Sequence, residues 1–254
     1  MADPRRSTMH NTQQCNWFHG SDHVTKISTC TLRAGRNEWR YAEINGEAID
    51  AHWRQTRQSN PNYFNGVIYL IDDVSLVDGA LEASLLKTDF KSYLYWRAQN
   101  FPDAGVLDGF GSALIRTDDG SIMLGRQRQG HVNGGLTYAP AGFIDGQDVD
   151  ANGIIHIERS ALREAAEETG IEPGALARGD GFYLTRSGTQ LSIAVPFRAM
   201  MSSAEFVRRA EQHIAATVDS ELDAVIPVAN AGDIQNLAMP RYMRALLDAL
   251  FSAD

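Results

Sequence analysis

The nine residues REAAEETGI, from Arg163 to Ile171, constrain the fold of this chain more than any other stretch. They read as a helix over about Glu158 to Thr169, closed by Gly170, the residue type that most readily takes the left-handed conformation at a helix end. At about 100° per residue, Glu164, Glu167 and Glu168 share an arc of about 100°. Leu162, Ala165 and Ala166 occupy the other side and read as the buried stripe. Like charges three or four residues apart cost only about 0.2–0.5 kcal/mol per pair, so a solvated acidic face explains the glutamates without any ligand. A metal ion would turn that small cost into a gain.

A helix with one apolar stripe needs a sheet or further helices to cover it. Residues 1–22 are polar and read as a poorly ordered tail. VTKISTCTLRAG reads as one strand running into a turn, on β-branched content alone. Trp39 to Arg57 is helical in its second half, with Ala48, Ala51 and His52 one turn apart, and ends before the turn cluster SNPNYFNG. GVIYLIDDVSL reads as a strand. DFKSYLYWRAQN reads as a helix carrying Tyr93, Trp96 and Arg97, with Trp96 and its aromatic neighbours as core rather than a base-stacking platform. FPDAGVLDG is the best linker, which places a boundary near residue 107. The expected organisation is a tail over 1–22, a smaller N-terminal α+β domain over 23–107 and a second domain over 108–254.

In the second part, GSALIRTDDGSIMLGRQ reads as a hairpin about the tight-turn dipeptide Asp119-Gly120. The Gly-rich loop GHVNGGLTYAPAGFIDG follows, without the Gly-Lys-Ser/Thr ending of a P-loop. After the acidic helix come a strand pair, FYLTRSG and LSIAVPFRAM, a helix SAEFVRRAEQHIAA, a strand DAVIPVA and a final helix PRYMRALLDALF behind Pro240. Strands interleaved with helices give an α/β (α+β) class, with a sheet covered by helices on both sides.

Composition narrows the function. The 254 residues hold 23 basic and 32 acidic side chains, a formal charge of −9. That balance argues against sequence-independent binding of nucleic acid, which needs a basic surface. It leaves room for an anionic small ligand, because a bound divalent cation reverses the local field. No apolar run approaches 18 residues, so no membrane span is expected. The two cysteines, Cys15 and Cys30, form no metal-like pair and no disulfide scaffold, and a reducing cytoplasm is the default. His19 and His23 have helical spacing but lie in or beside the polar tail, and are not expected to bind metal.

The segment from Gly142 to Ile171 resembles the Nudix box, the signature of the Nudix hydrolases. Arg163, Glu164, Glu167, Glu168, Gly170 and Ile171 match the second half of that pattern, with Ala165 a small stand-in for its aliphatic residue. Gly142 matches the first half. There the acid after the five-residue gap is Asp148 rather than Glu, and 14 residues separate it from Arg163 where the pattern has seven. A loop absorbs such an insertion at small entropic cost, about 0.6 kcal/mol per doubling of length.

The resemblance implies an α/β/α sandwich with a mixed sheet over residues 108–254. It also implies hydrolysis of a diphosphate linkage, with Mg²⁺ or Mn²⁺, in a nucleoside diphosphate joined to another group. Glu167 and Glu168 would be the main metal ligands, with Glu164 a further ligand or an aid to water activation. The Ala141 carbonyl would be another ligand, and Arg163 would hold a glutamate in position. The base is either Glu164 or a loop acid such as Glu221. Arg126 and Arg128 are candidates for the substrate phosphates, or solvated arginines leaving a strand. The expected partner is a small nucleotide-type substrate, a dinucleotide or a nucleotide sugar. The N-terminal region would shape the pocket or form a homodimer contact. Two alternatives stay open: a non-catalytic nucleotide sensor on the same fold, and an isopentenyl diphosphate isomerase, which needs a catalytic cysteine in a domain that here has none.

Overall fold

The computed structural model describes residues 22–252. The tail expected over 1–22, with Cys15 and His19, lies outside the described residues except for Asp22. The N-terminal part contains β1 (His23–Ile27), β2 (Thr29–Ala34), α1 (Arg40–Ile44), α2 (Gly46–Ser59), β3 (Val67–Val77), β4 (Ala80–Asp89) and α3 (Phe90–Ala98). After it come β5 (Asp108–Thr117), β6 (Ile122–Gln127), β7 (Thr137–Tyr138), β8 (Ala141–Phe143), β9 (Ile154–Ile155) and α4 (Ile157–Thr169). The chain continues through β10 (Leu176–Arg178), β11 (Phe182–Ser187), β12 (Gln190–Ala199), α5 (Ser203–Ala216), β13 (Leu222–Val228) and α6 (Arg241–Ser252).

Two mixed sheets organise these elements. The larger has nine strands, with the path β1-β11-β12-β5-β6-β13 and β10, β7 and β8 attached to β12, β6 and β5. At its centre β5 and β12 run parallel, from Asp108 beside Gln190 to Thr117 beside Ala199. Alternation along β5 builds two cores, as the period of a strand requires. Ala113 and Ile115 face a core that takes Ile157, Ala161 and Ala165 of α4 with Phe206 and Ala210 of α5. Phe110 and Leu114 face a second core that takes Tyr242, Met243, Leu246 and Leu247 of α6. The sheet is therefore sandwiched between helices, the α/β class read from the sequence. The Asp119-Gly120 turn joins β5 to β6 as expected, with Gly120 at φ +87°.

The smaller sheet runs β3-β4-β2-β9. Its strand β4, ALEASLLKTD, is not legible in the sequence as an element, because Ala, Glu and Lys dilute its strand propensity. The signal lay in the turn: Asp78 and Gly79 both adopt positive φ, at 49° and 76°, and close the β3–β4 hairpin. The helices α1 to α3 belong with this sheet, where Trp39, Leu70, Leu86, Tyr93 and Trp96 form a third core. The face of α2 differs from the one expected. Ala48 and Ala51 are exposed, and Ile49 is the buried residue; a larger apolar side chain gains more from leaving water.

VTKISTCTLRAG is two strands rather than one. The backbone bends at Ser28, whose amide and hydroxyl both donate to the Gly79 carbonyl, at 2.8 and 3.0 Å. Neither face of this run is clearly apolar, so local pattern does not hold it in one sheet. β1 pairs antiparallel with β11 in the larger sheet, and β2 lies parallel to β4 in the smaller. A second crossing runs the other way. The segment inserted after Asp148 forms β9, which pairs with Leu32 and Arg33 of β2. No helix among the described residues is long and apolar enough to cross a membrane.

Trp96 is 0% exposed and donates its indole N–H to the Pro102 carbonyl at 2.8 Å. Trp96→Ala is expected to destabilise the protein by about 3–5 kcal/mol in urea unfolding. A loss below about 1 kcal/mol would show that this side chain does not anchor the third core.

Candidate active site

The buried row of α4 steps through Ile157, Ala161, Ala165 and Glu168. Leu162 and Ala166, read from sequence as part of the stripe, are only half-buried. The helix presses its smaller residues onto the sheet: at Gly111 of β5 there is no space for a Cβ beside Ile157. Glu168 is carried inward by this rotation. It is 4% exposed, and neither carboxylate oxygen has a hydrogen-bond partner. Burial, followed by the charges of Glu164 and Glu221, pushes its carboxyl well above the ordinary range, against the smaller lowering effect of the nearby Ala141 amide. Glu164 sits half-buried one turn earlier. Burial and then the charges of Glu167 and Glu221 push its pKa up to about 7, against the lowering effect of Arg163. Glu167, with its side chain 59% exposed, faces solvent.

Arg163 is the one cation in contact with these acids among the described residues. Its guanidinium lies 2.7 Å from Glu164 Oε1, 3.3 Å from Glu167 Oε2, 3.4 Å from Asp148 Oδ2 and 3.7 Å from Asp145 Oδ2. Asp148, the acid before the insertion, is buried and reaches Arg163 through a short 3₁₀ turn over Gly146–Asp148. It accepts the Asp145 amide at 3.0 Å, while Asp145 Oδ1 accepts the Gln147 amide at 2.7 Å. The inserted residues turn around Asp150, which accepts the amides of Asn152 and Ile154 at 2.8 and 2.9 Å. The insertion thus leaves the acid in place and spends its length reaching the smaller sheet.

Two glycines of the motif are required by contact. A Cβ on Gly142 would fall within the Glu164 carboxylate. Gly170 ends α4 at φ +68°, and a Cβ there would meet the His213 ring.

These residues open onto a cavity of about 810 Å³ between the two sheets. Ala141, Gly142, Arg163, Glu164, Glu167 and Glu221 line one part of it; Glu168 lies buried beside them and is not among the lining residues. Arg128 reaches the cavity, its Nη2 donating to the Leu222 carbonyl at 3.2 Å. Arg126 does not: it pairs with Asp223 at 2.6 Å, outside the lining. Strand alternation does not separate the two arginines, and a partner on β13 decides the matter. Cys30 is not among the lining residues, and burial pushes its thiol up to about 12, away from the reactive thiolate form.

The N-terminal part supplies the other wall through Tyr63, Phe64, Phe90, Tyr93 and Arg97. Arg97 donates to Asn133 Oδ1 and the Val132 carbonyl, both at 3.0 Å, and so ties α3 to the Gly-rich loop. Asp108, placed by the sequence reading at the end of a linker, begins β5 instead. It is 2% exposed, and its Oδ2 accepts Tyr93 Oη–H at 3.0 Å and Gln190 Nε2–H at 3.2 Å. Burial raises its pKa, against the lowering effect of these two bonds.

The donor set fits a hard divalent cation. Glu164, Glu167, Glu168 and the Ala141 carbonyl offer only oxygen, and the two oxygens of Glu168 are buried without a partner. Among the described residues no three acidic, histidine or cysteine side chains converge tightly. Glu164 and Glu167 lean on Arg163 instead.

No family model matches the chain, and no curated protein matches it. Among solved structures it is similar to a MutT protein from Methanosarcina mazei, at 21% identity over 58% of this chain and 94% of that one, with a TM-score of 0.41. It is similar to the Nudix hydrolase RenU from M. smegmatis, at 16% identity over 57% of this chain and 84% of that one, with a TM-score of 0.39. A bifunctional NMN adenylyltransferase/ADP-ribose pyrophosphatase from Francisella tularensis, complexed with AMP and a Mn ion, is 16% identical over 63% of this chain and 46% of that one, with a TM-score of 0.42.

Two outcomes follow from this geometry. Glu168→Gln is expected to be at least as stable as the parent at pH 7 in chelator, because it removes a buried unpaired acid; if Mg²⁺ or Mn²⁺ raises the melting temperature of the parent, the variant is expected to lose that rise. A variant still stabilised by metal to the same extent would remove Glu168 from the ligand set. For Asp108 the folded-state pKa is raised, so its favourable contribution is present below the unfolded value and fades as pH rises through the folded one. Melting curves of Asp108→Asn should therefore match or exceed the parent at pH 7, with the advantage shrinking towards pH 4. A variant that is less stable at both ends would contradict this.

Proposed function

We propose that this chain is a Nudix hydrolase that cleaves the diphosphate linkage of a nucleoside diphosphate-linked compound, a dinucleotide or a nucleotide sugar. The observation that carries the reading is Glu168: a carboxylate buried without a partner, beside Glu164 and Glu167, with one arginine that reaches only the other two. A buried acid in that state costs stability unless a cation completes it. Glu164, Glu167, Glu168 and the Ala141 carbonyl would hold Mg²⁺ or Mn²⁺, which when bound neutralises the diphosphate and makes a coordinated water more acidic.

The chain's own residues would do the rest. Arg163 fixes Glu164 and Glu167 from one side, and buried Asp148 fixes Arg163 from the other. Arg128 takes the phosphate charge within the cavity. Glu221 is exposed, lines the cavity and forms no ion pair among the described residues. In this reading a carboxylate oxygen of Glu221 takes the proton of the attacking water. Water oxygen bonds to one phosphorus, and the bridging P–O bond breaks with its electron pair on the departing phosphate. Glu164, already paired with Arg163, keeps to the ligand set.

Phosphate-coupled hydrolysis of a panel of dinucleotides, nucleotide sugars and nucleoside triphosphates, with Mg²⁺ or Mn²⁺ and with chelator, tests the proposal. Turnover should require metal and fall by about a hundredfold or more in Glu167→Gln. Stabilisation by one panel member with no turnover on any would identify a nucleotide sensor on the same fold instead.

A further inference from the structure

The cavity has a second end that the hydrolytic residues do not use. Its floor is Asp108 with Gln190, side by side on the parallel strands β5 and β12. Its walls are aromatic. Phe143 meets Tyr93 edge-on at 4.7 Å, and Phe110 meets Tyr242 edge-on at 5.0 Å. Phe64, in the loop before β3, also lines the cavity and is 79% exposed. Flat aromatic walls with an uncovered phenyl ring at the edge suit a planar ring, on which they stack.

The floor also has a hydrogen-bond polarity. Tyr93 Oη–H and Gln190 Nε2–H both donate to Asp108 Oδ2. Asp108 Oδ1 and Gln190 Oε1 take no part in these two bonds, and a carboxylate or amide oxygen can only accept. A ligand that reaches this floor must bring N–H donors or leave two acceptors dry. We infer that the Asp108–Gln190 end of the cavity binds a planar heteroaromatic ring bearing an exocyclic amino group, as in an aminopurine or aminopyrimidine base. The ring stacks against Phe64 and Phe143, and its amino hydrogens go to Asp108 Oδ1 and Gln190 Oε1. The inference rests on the reading of this cavity as a nucleoside diphosphate site, and it assigns the N-terminal part the task of selecting the base.

The test is calorimetric binding to the full chain of monophosphates that differ only at that edge, with Mg²⁺ present and again in chelator. The probes are AMP against IMP and CMP against UMP, with ribose 5-phosphate as the ringless control. The amino member should bind about tenfold or more tightly in at least one pair, and ribose 5-phosphate more weakly than either. Asp108→Asn, which presents an amide donor in place of the acceptor, should abolish or invert that ratio. Phe64→Ala, at an exposed position that cannot unsettle the core, should weaken both members of the pair alike, by roughly fivefold or more. Equal binding of amino and oxo members in both pairs, or ribose 5-phosphate binding as tightly as the nucleotides, overturns the proposal. The parent ratios decide this by themselves. The same pairs presented as diphosphate-linked substrates separate the two readings. Turnover with no amino preference removes the base site alone, and amino-selective binding with no turnover removes the hydrolase alone.

Discussion

One guanidinium holds the acidic end of the cavity together. Arg163 touches Asp145, Asp148, Glu164 and Glu167 at once, while Glu168 stays buried outside its reach with no hydrogen bond. A single positive charge cannot balance that many carboxylates in a partly dry environment, so the surplus negative charge is built into the fold. The position of every other part of the site follows from this arrangement. Gly142 must lack a side chain because the Glu164 carboxylate fills the space, and α4 must rotate its small residues onto the sheet for Glu168 to lie inward.

The two sheets are linked by exchanged strands. β1 and β2 are continuous in sequence yet separate at Ser28, one joining each sheet, and β9 returns from the acidic loop to extend the smaller sheet. Hydrogen-bonded pairing in both directions gives the interface a fixed register, which a purely apolar contact would not. Arg97 adds a third tie, from α3 to the Gly-rich loop. The cavity between the sheets is lined by residues of both, so backbone pairing between the sheets joins its two walls. This is also how the insertion before α4 makes structural sense: it carries Asp148 to Arg163 and then reaches β2.

Much of this was legible in the residues. The hairpin about Asp119-Gly120, the strand pair FYLTRSG and LSIAVPFRAM, and the helices at 157–169, 203–216 and 241–252 all follow from period, turn chemistry and caps. Those signals are local, and each acts within a few residues of chain. Three glutamates on one helix with a single arginine in front of them likewise carry surplus negative charge that is visible in the residues alone. What went unread was non-local. The bend at Ser28 depends on a carbonyl at Gly79, 51 residues away in sequence. Arg126 and Arg128 are equivalent in sequence, and only the place of Asp223 on a neighbouring strand sends one to a salt bridge.

The sequence by itself determined the order and type of most elements and the chemistry of the acidic helix, because propensity and periodicity are properties of short segments. Tertiary structure alone decided which glutamate is buried, since that depends on the angle at which α4 meets β5 and β12. It alone decided that Asp108 is no linker residue but the floor of a cavity, because Tyr93 and Gln190 reach its carboxylate from elements 15 and 82 residues away in the chain. Burial and partner choice are set by the distances between segments, and no local pattern contains those distances.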